Sequence, residues 1–530
     1  MKRSLMTALA ALFLAGTIFA GGIVTNTNQS AMFTRMGNRT ATLGIDAVYY
    51  NPAGLTKLGN GFHFSINNQT IGQTRTINSD YANLNNGEYI GEVSAPIFPG
   101  IYGVFNMGKL AFSVGFNPIG GGGGATYKTG LPSFEYTPSD LPVALVNPLI
   151  NQTVDGYSID AFFEGSSVFY GFQGNVSYEI NDMISVAVGA RYVTARESYT
   201  GHLNDIMLLG LNNALMADPV NIPATTYFAN AQTSAQGGAD NLNAAIGAGL
   251  IQATDPLSDP AAIGALTVMG LYTPGMSNGA AAATFGGAAV QYGATSAVLD
   301  NQDVDADKTA SGITPIVSVN IQPIDILNIA VKYEFATALE FETAADADKQ
   351  GLLGYNPDGT PKYLFPNGDK TNLDMPAYLA IGATLQPVES LLLAGHFGYY
   401  FDKSANWDGR QDLLNSNTYE IALAAEYYLS EKFLVSAGWS YTKTDPTPEY
   451  QTDLSYTLPT HGLSFGIGWD IMPMMQLNLG GQYVIYEEGA NKFNHDFANS
   501  GALFPVTETL AKSVWIVGVG LNITLASKGE

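Results

Sequence analysis

The chain has no cysteine. That excludes disulfide staples, thiolate catalysis and Cys-ligated metals, and it is common in proteins that cross an oxidising periplasm unfolded. Charge is also sparse: 13% of the 530 residues are charged, about half of the ~25% usual in soluble domains. Basic residues are fewest, 22 Lys and Arg against 46 Asp and Glu, for a net charge of -24. A surface this acidic does not bind phosphates, so nucleic acid is excluded as a partner. It suits exposed loops that stay soluble by self-repulsion or take up divalent cations. Long apolar runs are missing too. After residue 20 none reaches the ~20 residues a spanning helix needs. What is present is 46% hydrophobic residues diluted by 59 glycines and by Asn, Thr and Ser, often in alternation. A transmembrane barrel, with one face in lipid and the other in water, has this composition. A large soluble all-β protein shares much of it, so the arrangement has to decide.

Lys2 and Arg3 precede a nearly continuous apolar run, Leu5 to Phe19, and Ala20-Gly21-Gly22 then offers small residues for cleavage. This pattern reads as a secretory signal peptide over residues 1–20, with a run short for a spanning helix. Ile18, third before the cut, is not the ideal small residue. An exported protein is expected.

Period-2 alternation puts every second side chain on one face of a strand. It is clearest at the C-terminus, where Trp515, Val517, Val519, Leu521, Ile523 and Leu525 oppose Gly518, Gly520, Asn522 and Thr524. Met475, Leu477, Leu479, Tyr483 and Ile485 alternate in the same way with Gln476, Asn478, Gly480 and Gln482. Strands are expected near 61–77, 95–106, 109–119, 166–180, 183–199, 313–322, 326–341, 374–386, 390–402, 417–429, 432–444, 458–471, 474–487 and 512–525. That is about fourteen, an even number, as in bacterial barrels. The second, with Pro96, Pro99 and Gly100, is the least regular.

The connections carry more information than the count. Short turns at Met107-Gly108, Asn181-Asp182, Pro323 to Asp325, Pro387 to Glu389, Ser430-Glu431 and Met472-Pro473 alternate strictly with long polar stretches. A membrane barrel has short periplasmic turns and long extracellular loops; a soluble sandwich has no reason to gather its long loops at one end. Tyr427, Tyr428, Tyr441, Tyr483 and Tyr486 suit interfacial girdles, although aromatic residues favour strands anyway. In the longest stretch, 200–312, Asp205 to Met216, Asn241 to Gln252 and Ala261 to Leu271 have the composition of short helices. Their apolar faces either form an interaction or ligand site or pack on one another over the barrel mouth.

The fold class is therefore all-β: a transmembrane antiparallel barrel at 59–525, with a short tail at 526–530. The segment from Gly21-Gly22-Ile23 to Asn51-Pro52-Ala53-Gly54-Leu55 resembles the N-terminus of the FadL/TodX-type outer-membrane transporter family, in which an Asn-Pro-Ala motif follows a plug. Asn117-Pro118-Ile119 and the run Gly120 to Gly124 are also similar to that family. The resemblance covers the whole chain in architecture, and individual residues only in the first ~60 positions and the glycine run. It implies a monomer in the bacterial outer membrane, among its lipid and lipopolysaccharide, closed by an N-terminal luminal hatch at about 21–58. It further implies an extracellular groove, an interior pocket, and a lateral exit at a kinked third strand. The apolar stretch 200–312 falls where the family groove lies, and Pro118 with Gly120, Gly121 and Gly122 ends the third strand, where Pro cannot complete a ladder and Gly weakens it. An ordinary glycine loop is the alternative. The chain departs from many outer-membrane barrels at Leu525, followed by a polar tail instead of a terminal aromatic residue.

By the alternation, Arg191, Lys332, Glu334, Glu420 and Glu426 face the lumen, with His396 beside them. Arg191 and Lys332 are the candidates for holding a fatty-acid carboxylate, since a cation at the end of an apolar pocket fixes orientation; the alternative is that each pairs with a luminal carboxylate. Gly462 to Gly466 spells G-x-S-x-G beside His461, but it reads as one unbroken strand and not the sharp strand-to-helix turn of a nucleophile elbow. Asp303, Asp305 and Asp307 resemble a calcium loop, yet Lys308 and Thr314 stand where its Gly and Glu belong. No cofactor, metal or catalytic residue is expected, and the protein is read as a non-enzyme. The leading function is passive uptake of hydrophobic small molecules, long-chain fatty acids foremost. Uptake of aromatic hydrocarbons by the same route and a general aqueous porin are the alternatives.

Overall fold

A computed structural model describes residues 21–356, 358–498 and 500–526; the expected signal at 1–20 and the tail from 527 onward lie outside them. β-branched and aromatic residues alternating with Gly, Asn and Ser extend the chain into fourteen long antiparallel strands. These are β1 (Gly61–Ser79), β2 (Glu88–Met107), β3 (Leu110–Tyr127), β4 (Gly156–Glu179), β5 (Ile184–Leu211), β6 (Gln302–Ile324) and β7 (Leu327–Glu334). The second half comprises β8 (Tyr378–Val388), β9 (Leu391–Tyr400), β10 (Tyr419–Ser430), β11 (Phe433–Lys443), β12 (Thr460–Met472), β13 (Met475–Tyr486) and β14 (Ala502–Ala526). Each strand pairs with the next, and β14 closes on β1 from Gly61↔Ala526 to Ser79↔Glu508. Closure pairs the edge strands, the one way a sheet satisfies its backbone in lipid.

The faces follow the alternation. On β1, Phe62, Phe64 and Ile66 are exposed while His63, Ser65 and Asn67 are buried. On β14, Trp515, Val517 and Val519 are exposed and Val514 and Ile516 are buried. The outer wall is a continuous apolar belt that only a lipid environment tolerates. No described helix is long and apolar enough to cross a membrane. Short turns gather at one end of the barrel and long connections at the other, as the sequence pattern requires.

Three expectations need correction. First, β2, β3, β4, β5, β6 and β14 run well past the lipid belt at the long-loop end. β5 continues through Asp205–Leu211, which composition assigned to a helix, with a bulge where Asp205 takes φ 51 and β4 shifts register between Ser158 and Asp160. Second, the large connection is therefore 212–301, not 200–312, and its helices are not all short. They are α1 (Ala224–Gly247), α2 (Pro260–Val268) and α3 (Asn278–Val298). Asp259 caps α2 by accepting from the Ala261 N–H, and Ser277 caps α3 by accepting from Ala280. Their apolar residues pack on one another through Ala235, Ala239, Leu242, Leu266 and Phe285, and Phe228 packs on Leu208 and Leu211 of β5. Third, Pro118 and the glycine run do not end the third strand. β3 continues through them to Tyr127.

Candidate functional site

Residues 21–58 occupy the barrel interior, and almost every one of them is buried. The longer of their two α-helices, Ala31–Met36, is capped at Ser30, whose Oγ accepts from the Phe33 N–H and donates to Asp46. Arg39 grips the same Asp46 through Nε and Nη2 at 2.9 and 3.0 Å. The segment is then fixed to the wall on all sides. Arg35 donates to Glu426 of β10, Ser436 of β11 and Asn478 of β13. Thr40 Oγ1 lies 2.8 Å from His396 Nδ1 of β9.

The Asn51-Pro52-Ala53-Gly54 motif makes the opposite anchor. Asn51 Nδ2 donates to Asn320 and the Ala53 N–H to Ser318, both on β6 and at 3.0 Å. The Pro52 and Ala53 carbonyls accept from Ser177 of β4 and Ser185 of β5 at 2.7 Å. Pro52 starts a tight turn without a wasted N–H, and Gly54 continues it with its N–H on the Asn51 carbonyl. Four small residues thus join three strands.

The β2–β3 ladder is broken. Pairing stops at Ile101↔Phe116 and resumes only at Val93↔Ala125, leaving 94–100 and 117–124 unpaired with each other. Pro96 and Pro99 on one side and Pro118 on the other have no N–H to give. Gly121 and Gly123, at φ 88 and 65, turn β3 into the lumen, where Asn117, Pro118, Ile119, Gly120, Gly121 and Gly122 are all buried. Carbonyls released from the ladder are taken by the N-terminal segment. The Asn26 N–H donates to Ile119 at 2.8 Å, Asn26 Nδ2 to Gly121 at 3.2 Å and Gln29 Nε2 to Pro118 at 3.0 Å. On the other side of β2, Asn68 Nδ2 and Thr70 Oγ1 of β1 both reach the Pro96 carbonyl at 3.1 Å. Sequence reasoning found the glycines and missed Asn26 and Gln29, polar residues with no local pattern to mark them.

Arg191 and Lys332 do face the lumen, and both converge on Glu334. Arg191 holds its two carboxylate oxygens at 2.7 and 2.9 Å while Gln173 accepts two further donors. Lys332 Nζ reaches Glu334 Oε1 at 2.6 Å and the Tyr49 carbonyl at 2.9 Å. The Tyr49 ring covers both cations, at 4.9 and 4.6 Å. The cluster thus ties β5 and β7 to the N-terminal segment.

Above this cluster the lumen is lined by apolar and aromatic side chains. Ile71, Val93, Phe98, Ala125, Phe163, Leu458, Val484, Val514 and Ile516 form one buried cluster, and its members Val93, Phe98 and Ala125 border the ladder break. Below the N-terminal segment a mixed polar and apolar cavity of about 480 Å³, lined by Arg35, Arg39, Glu426, Asp470, Met472 and Met475, lies at the short-turn end. Among the described residues no cluster of His, Asp and Glu with metal-ligating geometry occurs.

These features define a closed, fourteen-stranded transmembrane barrel of the outer-membrane type, filled by its own N-terminus and interrupted in one wall. Among solved structures the chain is similar to that of a Pseudomonas aeruginosa FadL homologue, with a TM-score of 0.57 and 12% identity over 95% of this chain and 99% of that one. It is also similar to the P. putida toluene transporter TodX, with a TM-score of 0.50 and 13% identity over 94% and 99%. At such identities the likeness is one of fold. No protein-family model and no curated protein matches the chain.

Proposed function

We propose that this protein is a passive channel for hydrophobic small molecules, long-chain fatty acids foremost, and that residues 21–58 serve as its hatch. The observation that carries the reading is the β2–β3 break, a gap in an otherwise closed wall, at the edge of an apolar luminal cluster. A hydrophobe that reaches the cluster has a lateral way into the lipid, and a water-soluble solute gains nothing by that route. The helical connection 212–301 stands at the extracellular end, where ligand would first be caught. No energy-coupling motif is visible in the sequence, so transport is downhill. The apolar belt encircles one chain, consistent with a monomer. Nothing in the reading calls for catalysis.

The fold likeness to a toluene transporter makes aromatic hydrocarbons the second reading. An aqueous porin is disfavoured by the filled interior. The test is uptake by cells that lack their own hydrophobe channels and express this protein. Faster entry of labelled oleate with no gain for a sugar of similar mass is expected. Entry of toluene alone would move the reading to hydrocarbons, and entry of sugar alone would replace it with a porin.

A further inference from the structure

One helix lies inside the barrel mouth. Pro132–Ala144, in the connection between β3 and β4, is buried along the face that carries Glu135, Tyr136, Ser139 and Asp140. Its partners on the strands stand at inward-facing positions above the lipid belt. Glu135 accepts from the hydroxyls of Tyr89 on β2 and Tyr157 on β4 and from the Asn85 N–H. The Tyr136 hydroxyl donates to Glu508 of β14 at 2.7 Å and lies 3.1 Å from Ser79 Oγ of β1. Asp140 accepts from Tyr81, His495 and the Ala498 N–H. The Ser133 N–H donates to Asp453, in the connection between β11 and β12, at 2.9 Å. These sockets form an arc from β4 through β1 and β14 to the β11–β12 connection. Beneath it, Leu131 and Phe134 rest on the apolar cluster of the lumen.

The helix is weakly made, and its fastening is acidic. Pro138 and Pro142 stand inside it with no N–H to give, so it depends on its sockets more than on its own ladder. Glu135, Asp140, Asp453 and Glu508 are four carboxylates buried in those sockets. Asp80 lies at the edge, its Oδ1 taking the Thr507 N–H next to Glu508. His495 is the basic group bonded to this set, through Asp140. Arg75 and Lys512 are cross-strand partners two inward positions below Ser79 and Glu508, about 13 Å along the strands at ~3.3 Å per residue. There Lys512 donates to the Tyr456 carbonyl at 2.7 Å, and Tyr127, Tyr456 and Tyr486 add phenols.

Glu508 decides whether this fastening holds. Its hydrogen-bond partners, Tyr136 and Asn491, are neutral. As the protonated acid it fits its place, since Asn491 can turn its amide oxygen to the acid O–H. We propose that the helix Pro132–Ala144 is a proton-latched lid, which closes the mouth while Glu508 is protonated and leaves it when that carboxyl ionises beside Asp453. The proton goes to solvent. Burial, and then the nearby Asp453, pushes the Glu508 carboxyl up to about 8 from the ordinary 4.5, and burial raises Asp453 as well. Because the closed state has the higher value, closure is favoured in full below about 4.5, and the advantage is lost as pH rises through about 8. Asp140 has the opposite sense. Against the push of burial, the bonds from His495 and Tyr81 hold it below its usual range, so its ionisation does not oppose closure.

The test is hydrogen exchange of the detergent-purified protein from pH 6 to pH 9.5, read as amide protection factors with intrinsic rates divided out. Residues 132–144 are expected to lose about tenfold or more of their protection, with a midpoint near 8. Glu508→Gln is neutral at every pH and keeps both hydrogen bonds, so its lid should stay protected throughout. Opening of the mouth is read with Ala125→Cys, a buried luminal position beneath the helix, in a chain with no other cysteine. Its maleimide labelling rate, divided by that of the exposed Ser234→Cys, should rise severalfold over the same range and stay flat once Glu508→Gln is added. Protection independent of pH, or an equal fall in Glu508→Gln, overturns the proposal, and so does lost protection without a gain in labelling. Should Glu508→Gln fail to fold, the native profile decides alone: a midpoint near 8 supports the lid and a flat profile overturns it. Neither measurement uses a ligand, so the uptake reading stands or falls separately.

Discussion

Arg191 and Glu334 meet as a two-pronged ion pair, 2.7 and 2.9 Å long, over the inner face of β6, with the Tyr49 ring against the Arg191 guanidinium. With Lys332 also on Glu334, one carboxylate balances two buried cations. Breaking a buried pair from one side leaves a charge uncompensated, at a cost of about 3–5 kcal/mol. Glu334→Gln, which strands both cations, is expected to lower the thermal unfolding midpoint markedly, read as the temperature at which the purified barrel loses its folded gel mobility. Arg191→Met should cost less, because Lys332 still neutralises Glu334, and should leave oleate affinity within about twofold.

Arg35 holds the N-terminal segment to three strands through Glu426, Ser436 and Asn478. Arg35→Met removes these bonds and leaves Glu426 with Arg39 at 3.9 Å as its remaining cation. The barrel wall does not depend on this contact, so the expected result is a folded barrel with a looser interior. Single-channel recordings should then show openings that the native protein lacks. Unchanged conductance would mean the other anchors, led by Asn51 and Ala53, suffice alone.

Gly121 occupies φ 88, and a Cβ there would press on the Ser167 carbonyl. Gly121→Ala strains the inward turn of β3 by about 1–2 kcal/mol and pushes it towards a regular ladder. Oleate uptake should fall severalfold with the heat-resistant barrel intact. Undiminished uptake would show that ligand leaves by another way.

Asp402, in the connection between β9 and β10, is fully buried. Thr418 donates to Oδ2 at 3.0 Å, and Oδ1 has no partner among the described residues. Burial pushes its carboxyl up to about 6 from the ordinary 3.8, against the pull of the Thr418 hydrogen bonds. Because the folded value is the higher one, the fold prefers the protonated acid. The stabilisation is complete below about 3.8 and is lost as pH rises through about 6. Residues 401–418 should therefore show higher amide protection factors, with intrinsic exchange rates divided out, at pH 4.5 than at pH 7.5, and Asp402→Asn should remove the difference.

Much of this molecule is legible in its sequence where lipid touches it. On β14 the contrast between Trp515 or Val517 and the glycines between them fixes face and register, because hydrocarbon outside leaves no choice. Beyond the belt that contrast fades. Asp303, Asp305 and Asp307 alternate with Val304 and Ala306 as a strand should, yet with charge outward they read as a loop. The same parity that exposed Arg191 also places Arg75 and Lys512 in the lumen, but both fell at the edges of strands drawn too short. Helix α3 and all of α1 before Asn241 escaped notice because Gly286-Gly287 and Gly237-Gly238 interrupt them, and only packing against each other makes such sequences helical. The ladder break was half visible. Three prolines and a glycine run announce irregular backbone, but only the fold puts them opposite one another.

β5 is far longer than a membrane crossing requires. Its 28 residues amount to about 90 Å of extended chain at ~3.3 Å per residue, or roughly 70 Å along the axis at a tilt of ~40°. The apolar belt needs only ~25 Å of that height. The rest stands above the lipid, and with the long neighbours β4 and β6 it raises one side of the barrel far higher than the side built from β7 to β13. Under the uptake proposed above, a hydrophobe arriving on this side meets the extended wall well before it meets the lipid.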